Sequence, residues 1–298
     1  MRIVTPETVD DNALISSTLD NEYPDWDANE TYDSGDRVVD GMDVYRSAQD
    51  SNTGNKPSET VGDDPPPWVR LGYSNRWRMF REGIDSTSTA EGEMTVRLDT
   101  DGVVSAVAVL GAAGQTVRAQ LIDDTDGTVY DETRELQDVE SETLFDYFYA
   151  PYETVTTAYF DNLPAYPGSE LEVTVTAATE TDPVAVGRLI YGLETDVGVA
   201  VVGSELSRKS YSIRERDEFG NLRNVPRRTI RVLDYDVDIE PDRVDSVDRL
   251  IDEIDGVPTL FVGNPDMPES IIFGLSVQFS VPLRGFAVSE CNLKVEGF

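Results

Sequence analysis

The stretch Leu171-Glu172-Val173-Thr174-Val175-Thr176 alternates apolar and polar side chains without a break. In a β-strand successive side chains point to opposite faces, so this pattern writes one buried and one wetter face. Met94-Thr95-Val96-Arg97-Leu98 repeats it. Val103 to Leu110 is a strongly apolar run. Further strands are expected at Val117 to Ile122, Thr128 to Tyr130 and Val184 to Leu193. The run Asp123-Asp124-Thr125-Asp126-Gly127 supplies turn residues between the first two of these. Strands this short and this regularly spaced make residues 77–203 an antiparallel β-sandwich, jelly-roll-like in its spacing.

Outward from that block the pattern changes. Towards the C-terminus, residues 204–298 read as an α+β or β-barrel domain. A long strand is expected over Arg228 to Ile239, with Ile230, Val232, Val237 and Ile239 pointing inward, and further strands at Thr259 to Val262, Ile271 to Phe279 and Leu293 to Val295. The one helical period runs from Asp242 to Ile254. It places Val244, Val247, Leu250, Ile251 and Ile254 on one face before the stop at Gly256. Towards the N-terminus, residues 26–76 are rich in turn formers and aromatics. Two short strands, Arg37 to Val39 and Val44 to Ser47, flank the turn Asp40-Gly41 there. Residues 1–25 are polar and weakly periodic, an expected extended arm or docking segment. The chain is mainly β throughout.

Composition narrows the function. Asp and Glu number 58 against 24 Lys and Arg, a formal charge of −34, and only Lys56, Lys209 and Lys294 among the basic residues are lysines. In dilute salt such a surface repels itself; at molar salt the Debye length is about 3 Å and the charge serves solubility. An acidic, Arg-over-Lys surface is expected of a halophile's protein. It argues against nucleic-acid binding, which depends on cations meeting phosphates. The densest basic run, Arg223 to Arg231, holds four Arg. The hydrophobic share of 39% is enough for folded cores.

Histidine is absent, which removes the usual general base and the commonest zinc ligand. The single cysteine, Cys291, excludes an internal disulfide and reads as a small buried hydrophobe. Gly111-Ala112-Ala113-Gly114 lacks the spacing and the Lys of a phosphate loop. Asp99 to Gly102 and Asp123 to Gly127 resemble fragments of calcium loops but read first as turns. Neither an enzyme nor a metal or cofactor is expected, and no run approaches the ~20 apolar residues of a membrane span. Nothing at Met1 reads as a secretion signal, so a soluble protein made in the cytoplasm is expected.

Two groups of residues are candidates for contact. Trp26, Tyr32, Tyr45 and Trp68 lie in a segment too short for a large core, and aromatic faces stack on sugar rings. They are either a glycan-binding surface or the core of a module of about 45 residues. Arg208, Lys209, Arg214 and Arg216 cluster in an acidic chain. They suit pairing with the carboxylates of another subunit or with their own neighbours.

The pattern Trp26-x5-Tyr32-x2-Gly35-Asp36-x-Val38-x2-Gly41-x3-Tyr45, with Asn55-x-Pro57 and Trp68, resembles the small chitin-binding type of carbohydrate-binding module. That family usually presents paired tryptophans just after the strand holding Tyr45, where this chain has Ala48-Gln49-Asp50. The resemblance therefore implies the module's fold. The following Gly72-Tyr73-Ser74-Asn75-Arg76-Trp77-Arg78-Met79-Phe80 is similar to a family of tail proteins of tailed phages. The similarity continues at Tyr147-Phe148-Tyr149-Ala150-Pro151, Asp161-Asn162-Leu163-Pro164, Val186-Gly187, Gly192, Ser207-Arg208-Lys209-Ser210 and Asp217-Glu218-Phe219-Gly220.

This resemblance implies a virion component at the distal tail or baseplate, and with the acidic composition it implies a tailed virus of a haloarchaeon. Its partners would be other tail proteins and further copies of itself, a trimer or hexamer. The alternative is a receptor-binding protein recognising host cell-surface glycan. A free carbohydrate-active enzyme is the weakest of the three readings.

Overall fold

A computed structural model describes residues 1–60, 62–81, 86–138, 153–201, 203–216, 218–281 and 289–298. The chain is mainly β and antiparallel, with one α-helix, Val244–Glu253, among the described residues.

The Glu170–Thr176 strand pairs with Glu93–Asp99 on one side and Thr116–Asp123 on the other. Gly127–Glu135 and Leu14–Ser17 form the two edges of this five-stranded sheet. The alternation read in the sequence is the one observed: Leu171, Val173 and Val175 are buried, and so are Met94, Val96 and Leu98 opposite them. The turn at Asp123 closes locally, its Oδ1 accepting from the amides of Thr125 and Asp126, both at 2.9 Å. Gly127 takes the left-handed conformation (φ +77°) that ends it.

A ten-stranded sheet forms the rest of the frame. Its strands run in the order Thr157–Phe160, Ala106–Leu110, Arg188–Asp196, Arg2–Pro6, Thr259–Val262, Ile271–Ser280, Ser289–Gly297, Thr229–Ile239 and Val199–Ala200. Glu205–Ser210 also pairs with Thr229–Ile239. Residues 1–25, expected as an extended arm, are instead built into both sheets. Arg2–Pro6 stitches the sandwich strand Arg188–Asp196 to the C-terminal strand Thr259–Val262. Ile3 and Val4 point into different cores and are both sealed from water. A five-residue strand buried on both faces shows no alternation, so periodicity has nothing to register.

Parity along the ladders assigns the cores to faces. On one face Val107, Val109, Phe160, Leu189 and Tyr191 meet the inward side chains of the five-stranded sheet, which makes the sandwich. Further along that face Ile3, Phe261, Ile272, Tyr235, Leu293 and Val295 pack with Val247, Ile251 and Ile254 of the helix and its end. The opposite face carries Ala106, Ala108, Ile190, Val4, Leu260 and Phe273.

This ten-stranded sheet is curled. Arg188 and Phe273 lie on the same face, on strands three steps apart, and their side chains reach across the strands between them, the guanidinium carbon 4.5 Å from the ring centroid. The curl brings the two edges together: Thr154 to Thr157 face Leu206, Arg208 and Arg231 across a cleft of about 480 Å³.

Two sequence expectations are corrected. Val184 to Leu193 is two strands, not one: Pro183–Val186 pairs with Ser88–Glu91, and after Gly187 the chain enters the ten-stranded sheet. In Thr229–Ile239 the helix-side set is Leu233, Tyr235, Val237 and Ile239, whereas Ile230 and Val232 lie on the other face. An odd spacing between Val232 and Val237 makes a single inward set impossible in a regular strand. The strands and the helix expected in that region are observed, with Val244 and Leu250 of the helix half-buried against the core. Cys291 is a buried hydrophobe as expected, and burial pushes its thiol pKa up to about 11.

Candidate functional site

The small module is a three-stranded sheet in the order Arg37–Asp40, Asp43–Ser47, Trp68–Tyr73, with a short ladder of Thr31–Tyr32 on Asn52–Thr53. Gly41 (φ +62°) makes the tight link between the first two strands. Antiparallel pairing then sets Val38 opposite Tyr45. Around them the module closes on its own aromatics. Tyr32, Tyr45 and Trp68 are 5%, 4% and 2% exposed and cluster with Val38, and Trp26 packs half-buried against them.

Tyr32 and Trp68 meet edge to face, 5.3 Å between centroids. The Trp68 Nε1–H donates to the Asn55 carbonyl at 2.8 Å, and the Asp27 amide donates to the Tyr32 hydroxyl at 2.8 Å. Burial raises the pKa of Tyr32 and of Tyr45 above the ordinary phenol value. Of the two readings open for these rings, the geometry is that of a core. Their faces are turned on one another, and Trp26 alone of the four keeps a partly open ring.

The basic candidates lie elsewhere, on a hairpin that leaves the curled sheet. Glu205–Ser210 pairs with Thr229–Ile239 from Glu205 opposite Asp234 to Ser210 opposite Thr229. Beyond that, Ile213–Arg216 pairs with Leu222–Val225. Pro226 has no N–H and interrupts the ladder, and the Ser212 hydroxyl bridges the gap, accepting from the Arg227 amide at 3.0 Å. From Ser210 outward, among the described residues, only these two strands are paired.

Every described residue from Gly203 to Thr229 except Ser212 and Ile213 is exposed. Phe219 at the tip is 89% exposed, and Leu222 beside it 58%. At the root, Lys209 pairs with Glu296 (2.7 Å) and Arg231 donates to the Glu269 carbonyl (2.6 Å). Arg208 lines the cleft, Arg214 stands exposed on the outer ladder, and Arg216 donates to the Gly220 carbonyl at 3.0 Å. The four basic residues therefore share one hairpin but have different surroundings.

Two features escaped the sequence reading. Phe219 and Leu222 become conspicuous only once the hairpin is known to stand clear of any core. The second is a half-buried polar knot, in which Arg2 pairs with Asp161 (2.5 Å) and with Glu194 (3.4 Å), and the Tyr159 hydroxyl donates to Glu194. The small residues Ala106, Ala108 and Gly192 separate these strands and leave room for it. No residue type in Arg2, Asp161 or Glu194 distinguishes them from the other charged residues of so acidic a chain.

Among the resembling motifs, Tyr147 to Pro151 and Asp217 lie outside the described residues. Asn162 takes a left-handed conformation (φ +58°), and Leu163 is buried. Among the described residues no group of three or more Cys, Asp or Glu could hold a metal ion, and no helix is long and apolar enough to cross a membrane. No protein-family model, no curated protein and no solved structure matches the chain.

Proposed function

We propose that this chain is a structural component of a tailed-virus particle, positioned at the distal tail or baseplate of a virus of a salt-loving host. The observation that carries the reading is the continuous curled sheet. It takes in strands from Arg2–Pro6 to Ser289–Gly297 and extends one exposed hairpin clear of its own core. A frame in which the Arg2–Pro6 and Ser289–Gly297 strands are each paired on both sides suits a part that holds its neighbours in register. The aromatic module adds a compact unit on the frame, its rings spent on its own stability. The resemblance of Gly72 to Phe80 and of the later motifs to phage tail proteins points the same way.

The test is labelling of purified particles with an antibody to this chain. Label in a symmetric array at the tail tip is expected; particles free of label along their whole length overturn the reading. Saturable binding of the purified chain to host envelopes in molar salt, lost in a folded Trp26→Ala variant, would transfer the reading to host-glycan recognition.

A further inference from the structure

We infer that the hairpin between Glu205 and Thr229 is a docking arm by which one copy of this chain grips an acidic face of a second copy. This deepens the structural reading above and rests on it for the identity of the neighbour.

The first argument is charge. Between Glu205 and Thr229 there are seven basic residues and four acidic ones, a local charge of +3. The rest of the chain therefore carries −37. More than a quarter of all the basic residues are gathered in less than one tenth of the sequence. Opposite charges separated on two surfaces of one chain are complementary between copies.

The second argument is what the arm exposes. Two strands without a third layer have no interior, and an isolated hairpin of this kind is at best marginally stable in water. Phe219 and Leu222 at its tip, with Tyr211 (47%) and Leu206 (43%) nearer the root, are the apolar surface that a partner would bury. An aromatic and arginine-rich contact is also the composition in which binding energy concentrates.

The third argument is the working salt. With a Debye length of about 3 Å at molar salt, long-range attraction is lost and direct ion pairs survive. Arginine is suited to that regime, because its planar fork pairs a carboxylate through two hydrogen bonds. All the basic residues of the arm from Arg214 to Arg228 are Arg. Arm and acceptor are different patches of one chain, a heterologous contact of the kind that closes into rings when the rotation permits.

The experiment is sedimentation velocity of the full chain in molar sodium chloride over a range of concentrations. It is run beside Phe219→Asp/Leu222→Asp and beside Arg214→Glu/Arg216→Glu/Arg223→Glu. The intact chain is expected to sediment as an oligomer at micromolar concentration, and each variant to shift to the monomer with unchanged circular dichroism. An intact chain that stays monomeric throughout, or folded variants that sediment like it, overturn the arm. So does an intact chain that shifts only on adding duplex DNA.

Should the variants unfold, Asn224→Cys carrying a photo-crosslinker decides the matter with the arm intact. In a mixture of isotope-labelled and unlabelled copies, cross-links from the arm should join the two labels; cross-links confined to one label overturn the proposal. Particle labelling remains a separate readout. Label at the tail with a failed arm removes the arm alone, whereas a self-associating chain missing from particles removes the virion reading alone.

Discussion

The aromatic module and the projecting hairpin are both short β units with little chain to build from, and they resolve their apolar residues in opposite ways. In the module three strands and a second small ladder enclose Tyr32, Val38, Tyr45 and Trp68, and the rings pack on one another. In the outer hairpin two strands have nothing to enclose, and Phe219 and Leu222 stay in solvent. Aromatic content alone therefore says nothing about display. What decides it is whether a third strand exists to close a layer, and here Trp68–Tyr73 supplies one to the module while the outer hairpin has none among the described residues.

Charge separates the two units as well, and the largest expected effect lies there. Between Asp20 and Asp64 the chain has 13 acidic and three basic residues, whereas the hairpin is net basic. Removing salt should raise self-repulsion across the acidic module and body and leave the arm comparatively unaffected. The melting temperature is expected to rise steeply from dilute to molar salt. In hydrogen exchange at low salt, the module's amides should lose protection first. A sharp transition at the same temperature in both conditions would remove the basis of the contrast.

Next in size is Trp68→Ala. Replacing a sealed indole leaves a cavity and strips the Asn55 carbonyl of its donor, a loss of about 3–5 kcal/mol for a buried aromatic. The module should open locally, seen as new proteolytic cuts between residues 26 and 73, while the sandwich stays resistant. A variant as resistant as the parent in the module would mean that the rings are not its core.

Much of this frame is legible in the sequence, and the parts that are not have definite causes. Leu171 to Thr176, Met94 to Leu98 and the helix after Asp242 read correctly because one face of each is buried and the other is not, which gives a period. The Arg2–Pro6 strand is buried on both faces and too short to show one. Gly187 ends one strand and begins another in a different sheet, and a local pattern carries no information on which sheet a strand joins. The four aromatic residues were legible as a group but not as inside or outside. That depends on the pairing of Asp43–Ser47 with Trp68–Tyr73, which lies about 25 residues away in sequence. The basic cluster was legible as Arg208, Lys209, Arg214 and Arg216, yet its projection from the sheet follows from where the neighbouring strands stop pairing.

A smaller effect is expected in alkali. Burial raises the phenol pKa of Tyr32 and of Tyr45 in the folded module. A raised folded-state pKa contributes stability that is complete below the unfolded value and is lost as pH rises through the folded one. The unfolded value is about 10. The module should therefore loosen progressively above about pH 10, seen in near-ultraviolet circular dichroism. Tyr45→Phe should flatten the dependence, because it removes one ionising group and makes no call on a hydrogen-bonded partner among the described residues. An equally steep loss in that variant would assign the alkaline transition to groups outside the module.

The smallest effect is the most discriminating. Phe219→Ala removes a side chain that is 89% exposed, so the stability of the isolated chain should change by no more than about 0.5 kcal/mol. Trp68→Ala removes a side chain of similar kind at a cost several times larger. If the hairpin docks on another copy, Phe219→Ala should show its effect only at concentrations where copies associate. There the melting temperature of the parent rises with concentration and that of the variant does not. A loss of stability as large at high dilution would place Phe219 against its own body, and the contrast between a closed module and an open arm would no longer hold.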